Sequence, residues 1–257
     1  MTNTLEVDVD PPVCTFTITN PEKRNALTAS ALHELSDRLE SLAQRTDVRV
    51  VVLTGAGEKA FCSGYDITAL STDGENSGQL VARTTRELRA FPYPTIAMVN
   101  GDTVGAGMNL AAACDIRIGV TDARFGVTPA KLGNIYSYDG IYQLVTIIGP
   151  AATKDLLFTG ELISAERAEQ LGLVNYLVDR SELQSRTDEL ATTIGSNAPL
   201  SLTGMKQIIN AITHKTEFSD AERKWAEQLR TEAKQSRDHE EGKRAFKENR
   251  PPEFVGR

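Results

Sequence analysis

Two short stretches place small residues where backbone amides could do chemistry, "FCSGYD" at 61–66 and "GAGMNL" at 105–110. Each follows an extended-looking run, so each brings Gly-flanked N–H groups to a strand end. Two such donors aimed at one point stabilise an oxyanion. A helix opening at Ala106 adds a dipole that favours developing negative charge. Tight helix–sheet packing accounts for the small residues at 105–107 equally well, and residue types alone leave both readings open. Just behind them stands Asn109, a neutral amide that accepts no proton at neutral pH.

Other chemistries find less support. "GAGEKA" (55–60) fits a loose GxGxxA dinucleotide fingerprint, but "FCSG" follows it as an extended segment, not as the helix that would meet a pyrophosphate. Gly55 and Gly57 are therefore expected to form turns. Ser63 lacks a GxSxG elbow and an obvious His partner. Cys14, Cys62 and Cys114 contain no CxxC pair and are expected to be reduced and structural. His33, His214 and His239 are scattered without HExxH spacing, so no protein-bound metal is expected.

The elements that must position these residues alternate along the chain. β-branched runs predict strands at 13–19, 48–55, 94–101 and 173–178, with two short strands around an Asp-containing turn at 116–127 and another short strand opening "AFCSGYDITAL" (60–70). Leu32, Leu35, Leu39 and Leu42 recur at helical spacing within 26–43, and further helices are expected near 80–91, at 105–115, 138–149, 151–160 and 164–172. "STDGENSGQ" (71–79) has no periodicity and is expected to be an exposed loop bordering a pocket. From Ser181 to about Lys247 the chain is charged and helical, with Trp225 and Leu229 on an amphipathic face that covers a neighbouring element or another subunit. The alternation implies an α/β sheet protein.

Composition bounds the function. With 257 residues, 40% hydrophobic and 25% charged, the chain is expected to be packed and soluble. A net charge of -7 opposes broad nucleic-acid or anionic-membrane binding, although Lys23-Arg24 or Lys243, Arg244 and Lys247 form local basic clusters. No basic segment leads into an apolar stretch at the N-terminus, and no run approaches the roughly 18 apolar residues of a membrane span, so a cytoplasmic location is expected.

Four segments in order, "PEKRNAL" (21–27), "GEKAFCSGYD" (57–66), "VNGDTVGAGMNLAAACD" (99–115) and "ARFGVTPAKLG" (123–133), followed by "FKENRPPEFVG" (246–256), resemble the crotonase, or enoyl-CoA hydratase/isomerase, superfamily over nearly the whole chain. The resemblance implies a ClpP/crotonase-like spiral of ββα units over residues 1–195 and a helical C-terminal trimerisation region over 196–257. It also implies a homotrimer or a dimer of trimers acting on acyl-CoA thioesters, with coenzyme A as part of the substrate and no covalently bound cofactor. By the same resemblance, the amides of Tyr65 and Ala106 form the oxyanion hole. Arg24, Ala26, Ser63, Gly64, Asp66 and Gly105 are expected along substrate and CoA, and Phe246 and Lys247 are expected to reach toward a neighbouring subunit's CoA.

The family's hydratases use two glutamates, and the corresponding places here hold Asn109 and Pro129. Neither moves a proton, which disfavours standard hydration and typical isomerisation. "TPAKLGNIYSYDGIYQL" (128–144) and "EEGKRAFKENRPPEFVG" (240–256) resemble the methylmalonyl-CoA decarboxylase branch, in which a Tyr after the "LG" step, here Tyr136, lies in the pocket. That branch has His where this chain has Tyr65. The leading expectation is a lyase that decarboxylates a malonyl-type CoA thioester, with Tyr136 orienting the departing carboxylate and Asn109 as a neutral wall. The alternatives are a hydratase or isomerase using Asp139 or Lys131, and an acyl-CoA-binding protein with little catalysis. For Tyr136 and Asn109 individually, a local packing role is the competing reading.

Overall fold

The structure is a computed structural model describing residues 4–66, 77–213, 221, 224, 227, 228, 231, 232 and 234–253. Thr28 starts the first helix, α1 (Ala29–Ala43), by accepting a hydrogen bond from the Ala31 N–H, and Leu32, Leu35, Leu39 and Leu42 form its buried face. Before it come β1 (Thr4–Asp10) and β2 (Val13–Thr19), an antiparallel pair in register Val7 with Phe16.

The chain then repeats a strand–strand–helix turn. In each turn the first strand enters a large sheet and the second a small one: β3 (Val50–Gly55) and β4 (Ala60–Cys62) precede α2 (Ser77–Ala90), and β5 (Thr95–Val99) and β6 (Asp102–Val104) precede α3 (Ala106–Ala113). β7 (Ile116–Val120) and β8 (Arg124–Gly126) follow the same rule ahead of α4 (Tyr138–Thr159), a helix broken at Gly149 and Pro150. The six-stranded sheet runs β1-β2-β3-β5-β7-β10 and the four-stranded one β4-β6-β8-β9, where β9 is Ile163–Ser164 and β10 is Tyr176–Val178. β3 and β5 are buried along their whole length, which is why they are unbroken apolar runs and not alternating ones. This is the crotonase-like spiral.

Two buried amides lock successive turns together. Asn100 donates to the Gly55 and Gly57 carbonyls at 2.8 and 2.6 Å and accepts the Gly55 N–H, while Asn25 donates to the Ala56 and Ala60 carbonyls at 2.9 and 2.7 Å. Gly57, at φ +74°, is the turn former its sequence context suggested. After α5 (Ala165–Gln170), α6 (Leu183–Gly195) packs on β3, β5 and β7. α7 (Pro199–Thr213) is tied to the core by Lys206, whose Nζ donates to Asp115 Oδ2 at 2.6 Å and to the Tyr93 carbonyl at 3.0 Å.

The structure adds three strands to those expected, β1, β6 and β9. It also makes Ser77, Gly78 and Gln79 the first turn of α2 and not the end of a loop. Residues 71–76, His214, Trp225 and Leu229, on which other expectations fell, lie outside the described residues. Among the described residues no helix is long and apolar enough to cross a membrane.

Candidate active site

β4 and β6 pair in parallel, so the segments that follow them leave the same end of the small sheet. Gly64 sits at φ +115° and Gly105 at φ +58°, conformations that side-chain-bearing residues rarely adopt. A Cβ on Gly64 would lie 3.7 Å from the Ala106 nitrogen, and one on Gly105 would lie 3.7 Å from the Gly64 Cα, so the two turns touch.

Each turn is fixed from behind. Leu27 N–H donates to the Gly64 carbonyl and Asp66 N–H to the Leu27 carbonyl, both at 2.8 Å, and neither bond uses the Tyr65 amide. The first bond within α3 runs from Asn109 N–H to the Gly105 carbonyl at 3.2 Å. Ala106 N–H is therefore one of the orphan donors of a helix N-terminus, and it donates to none of the described residues. Tyr65, Gly64, Gly105 and Ala106 all line one cleft of ≈ 730 Å³.

Tyr136 and Asn109 line the same cleft. The Tyr136 hydroxyl donates to the Gly105 carbonyl at 2.8 Å. Burial, with the nearby Cys62 thiol adding to it, pushes this phenol well above its usual pKa, so it stays neutral. Its proton is thus directed at the Gly105 carbonyl.

Asn109 is 5% exposed; its Nδ2 lies 3.4 Å from Ser137 Oγ, and its Oδ1 has no partner among the described residues. Ser137 in turn caps α4 by accepting the Gly140 N–H at 3.1 Å. Gly140 makes this approach possible, since a Cβ there would come within 2.4 Å of Asn109 Oδ1 and 2.6 Å of Tyr136 Cε1. Asn109 therefore both packs on a cap and faces the cleft.

Pro129 lines the cleft and opens a 3-10 turn, Pro129–Leu132. The groups considered as substitutes for the missing carboxylates are elsewhere. Asp139 does not line the cleft and is held by Arg86 Nη1 at 2.8 Å, and the exposed Lys131 side chain lies along Gly160.

Of the residues expected along CoA, Arg24, Ala26, Ser63, Asp66 and Phe246 line the cleft, whereas Lys247 is exposed and lies off it. Ser63 Oγ donates to the Lys23 carbonyl at 3.0 Å, and Asp66 accepts from Lys23 Nζ at 2.6 Å. Arg24, at φ 52°, also borders a charged depression of ≈ 370 Å³ with Lys59, Arg124 and Arg180. One cleft residue gave no signal in the sequence: His239 meets the Leu132 carbonyl 107 positions away. The three cysteines are buried and unpaired, and burial raises their pKa values to about 11 for Cys14 and about 12 for Cys62 and Cys114. Among the described residues no cluster of three or more His, Cys, Asp or Glu side chains is placed to hold a metal ion.

A spiral of strand–strand–helix turns with two Gly-bearing turns meeting over an open cleft defines an acyl-thioester enzyme of the crotonase type. The enoyl-CoA hydratase/isomerase family model matches residues 9–257, and the chain belongs to that family. It is 35% identical to the short-chain-enoyl-CoA hydratase of Clostridium acetobutylicum over 212 residues, 81% of each chain. It is 31% identical to the methylmalonyl-CoA decarboxylase of Escherichia coli over 238 residues, 91% of each chain. The solved structure of a methylmalonyl-CoA decarboxylase complexed with 2S-carboxypropyl CoA superposes with a TM-score of 0.91 at 29% identity, covering 100% of both chains.

Proposed function

We propose that this enzyme decarboxylates a malonyl-type CoA thioester. The observation that carries the reading is that both acid/base positions of the cleft, Asn109 and Pro129, are side chains that move no proton, beside an intact pair of backbone turns. Loss of CO2 generates an enolate without abstraction of a carbon-bound proton, so this step needs no base at either position. The Ala106 and Tyr65 amides take the thioester oxygen as it gains charge. A preorganised donor of this kind is worth about 3–4 kcal/mol of barrier. The wall near Asn109 is neutral and offers few donors, because the Tyr136 proton is held by Gly105 and Asn109 Nδ2 faces Ser137. Such a wall solvates an anionic carboxylate weakly and neutral CO2 without penalty, which favours the loss.

The test is CO2 release from malonyl-, methylmalonyl- and ethylmalonyl-CoA. Release from none of them refutes the reading. The 35% identity to a short-chain-enoyl-CoA hydratase keeps hydration as a second reading. Loss of enoyl absorbance with crotonyl-CoA, far above a blank, selects it. Tight thioester binding without turnover of any acyl group selects a binding protein.

The assembly expected of the chain has a candidate surface in α7. Met205, Ile208, Ile209 and Ile212 recur at helical spacing and are 54–61% exposed, and Leu200 is 87% exposed. We propose that this face is covered by further copies of the chain in a homotrimer. Sedimentation of a monomer at micromolar concentration refutes that.

A further inference from the structure

The C-terminal helix (Arg237–Glu248) docks on the 3-10 turn that carries Pro129. The approach is close: a Cβ on Gly133 would lie 2.6 Å from the Asp238 carbonyl carbon, and one on Gly242 would lie 2.6 Å from that of Leu132. Ser236 caps this helix by accepting the His239 N–H at 3.1 Å, which sets the ring's position. His239 Nδ1 is 2.9 Å from the Leu132 carbonyl oxygen. A carbonyl only accepts, so Nδ1 carries the hydrogen and the neutral ring keeps its lone pair on Nε2.

Leu132 is one turn along from Pro129, and both line the cleft with His239. The other ionisable side chains of that cleft are committed or cannot serve. Lys23 and Asp66 pair with each other, Tyr136 is bonded to Gly105, Tyr65 and Lys234 hold contacts of their own, and Arg24 does not deprotonate.

We propose that His239, through Nε2, is the group that moves the proton in this cleft, in place of the carboxylates replaced by Asn109 and Pro129. The proposal rests on the enolate-stabilising part of the function above, not on the loss of CO2. In decarboxylation the bond from the α-carbon to the carboxylate breaks and its electron pair enters the thioester as an enolate. Imidazolium Nε2–H then gives its proton to the α-carbon, a C–H bond forms, and the neutral ring recovers a proton from water. In the opposite sense, neutral Nε2 takes an α-proton from a saturated thioester, giving enolate and imidazolium, and exchange with solvent labels the carbon.

The charged side chains on the elements that meet here are Asp238, Glu240 and Lys243 on the C-terminal helix, Lys131 on the 3-10 turn, and Lys23, Arg24, Asp66 and Lys234 along the cleft. Glu240 is near enough to interact with the imidazole electrostatically.

The experiment follows deuterium entry at the α-carbon of propionyl-CoA in D2O, beside CO2 release from methylmalonyl-CoA, with the full chain. The wild-type protein is expected to exchange. His239→Asn keeps an amide donor for Leu132 but no titratable nitrogen. Its exchange is expected to fall by about 100-fold or more with an unchanged melting temperature. Exchange by H239N at the wild-type rate overturns the proposal, as does a wild-type protein that exchanges no faster than buffer. If H239N does not fold, His239→Gln at matched folded fraction decides by the same measurement. His239-dependent exchange without CO2 release from any malonyl-type thioester overturns the decarboxylation reading alone.

Discussion

Gly107 sits in the first turn of α3, where a Cβ would come 2.2 Å from the Cys62 carbonyl oxygen and 2.7 Å from the Cys62 Cβ. Ordinary contact begins near 3.4 Å, so Gly107→Ala forces α3 and β4 apart by about 1 Å. Those two elements lead into the Ala106 and Tyr65 amides, and a 1 Å error in placement costs about 100-fold in rate. The stability cost is smaller. Overpacking of about 1–3 kcal/mol is offset by about 1 kcal/mol from replacing Gly with Ala inside a helix. The expected result is a folded protein whose melting temperature drops by a few degrees while kcat for thioester turnover falls about 100-fold. Thermal denaturation and steady-state kinetics on one preparation check both. A folded G107A enzyme with wild-type kcat/KM would falsify the view that the contact between β4 and α3 sets the oxyanion geometry.

Tyr136→Phe removes the hydrogen bond to the Gly105 carbonyl. It is expected to lower stability by about 1 kcal/mol and to lower kcat more than it raises KM; a pure KM effect would contradict a role in holding the turn. Glu241 is held at a pKa of about 2 by Arg250, the Glu253 N–H and Arg244, against an ordinary value of 4.5. Because the folded value is depressed, its stabilisation is complete above pH 4.5 and disappears as pH falls toward 2. Urea unfolding of Glu241→Gln should therefore show less loss of stability than wild type across that window, and identical slopes would disprove the linkage. The buried cysteines, with pKa values of about 11 to 12, should be inert to a thiol reagent at pH 8 until the protein is unfolded. Rapid labelling of native protein would show that one of them is accessible.

Much of the scaffold was legible in the sequence because its signals are local. β3 and β5 are continuous apolar runs, α1 carries its leucines at helical spacing behind a Thr cap, and Gly149-Pro150 marks the break in α4. β6 and β9 escaped because three and two residues carry no periodicity. β1 has an alternation, Leu5, Val7 and Val9, that its acidic residues obscured. In the site, small residues at 64 and 105–107 fitted backbone chemistry and tight packing equally, and only the pairing of β4 with β6 brings the two turns together. The direction of the Tyr136 hydroxyl, the ion pair that holds Asp139 and the arrival of His239 beside Leu132 are all long-range events. Residue type and spacing do not encode them.

The proposed electrophile-activating part of this cleft is made of main chain, at Tyr65 and Ala106, while the groups that would distinguish one reaction from another are side chains at 109, 129, 136 and 239. A missense change at 65 or 106 leaves an N–H in place unless it introduces proline. On the proposed reading the capacity to hold a thioester enolate is insulated from most point mutations, whereas a single codon at 109 or 239 would change what is done with that enolate. Diversification of such a protein would proceed at the four side chains, with Gly64, Gly105 and Gly107 as the positions where drift would impair every reaction alike.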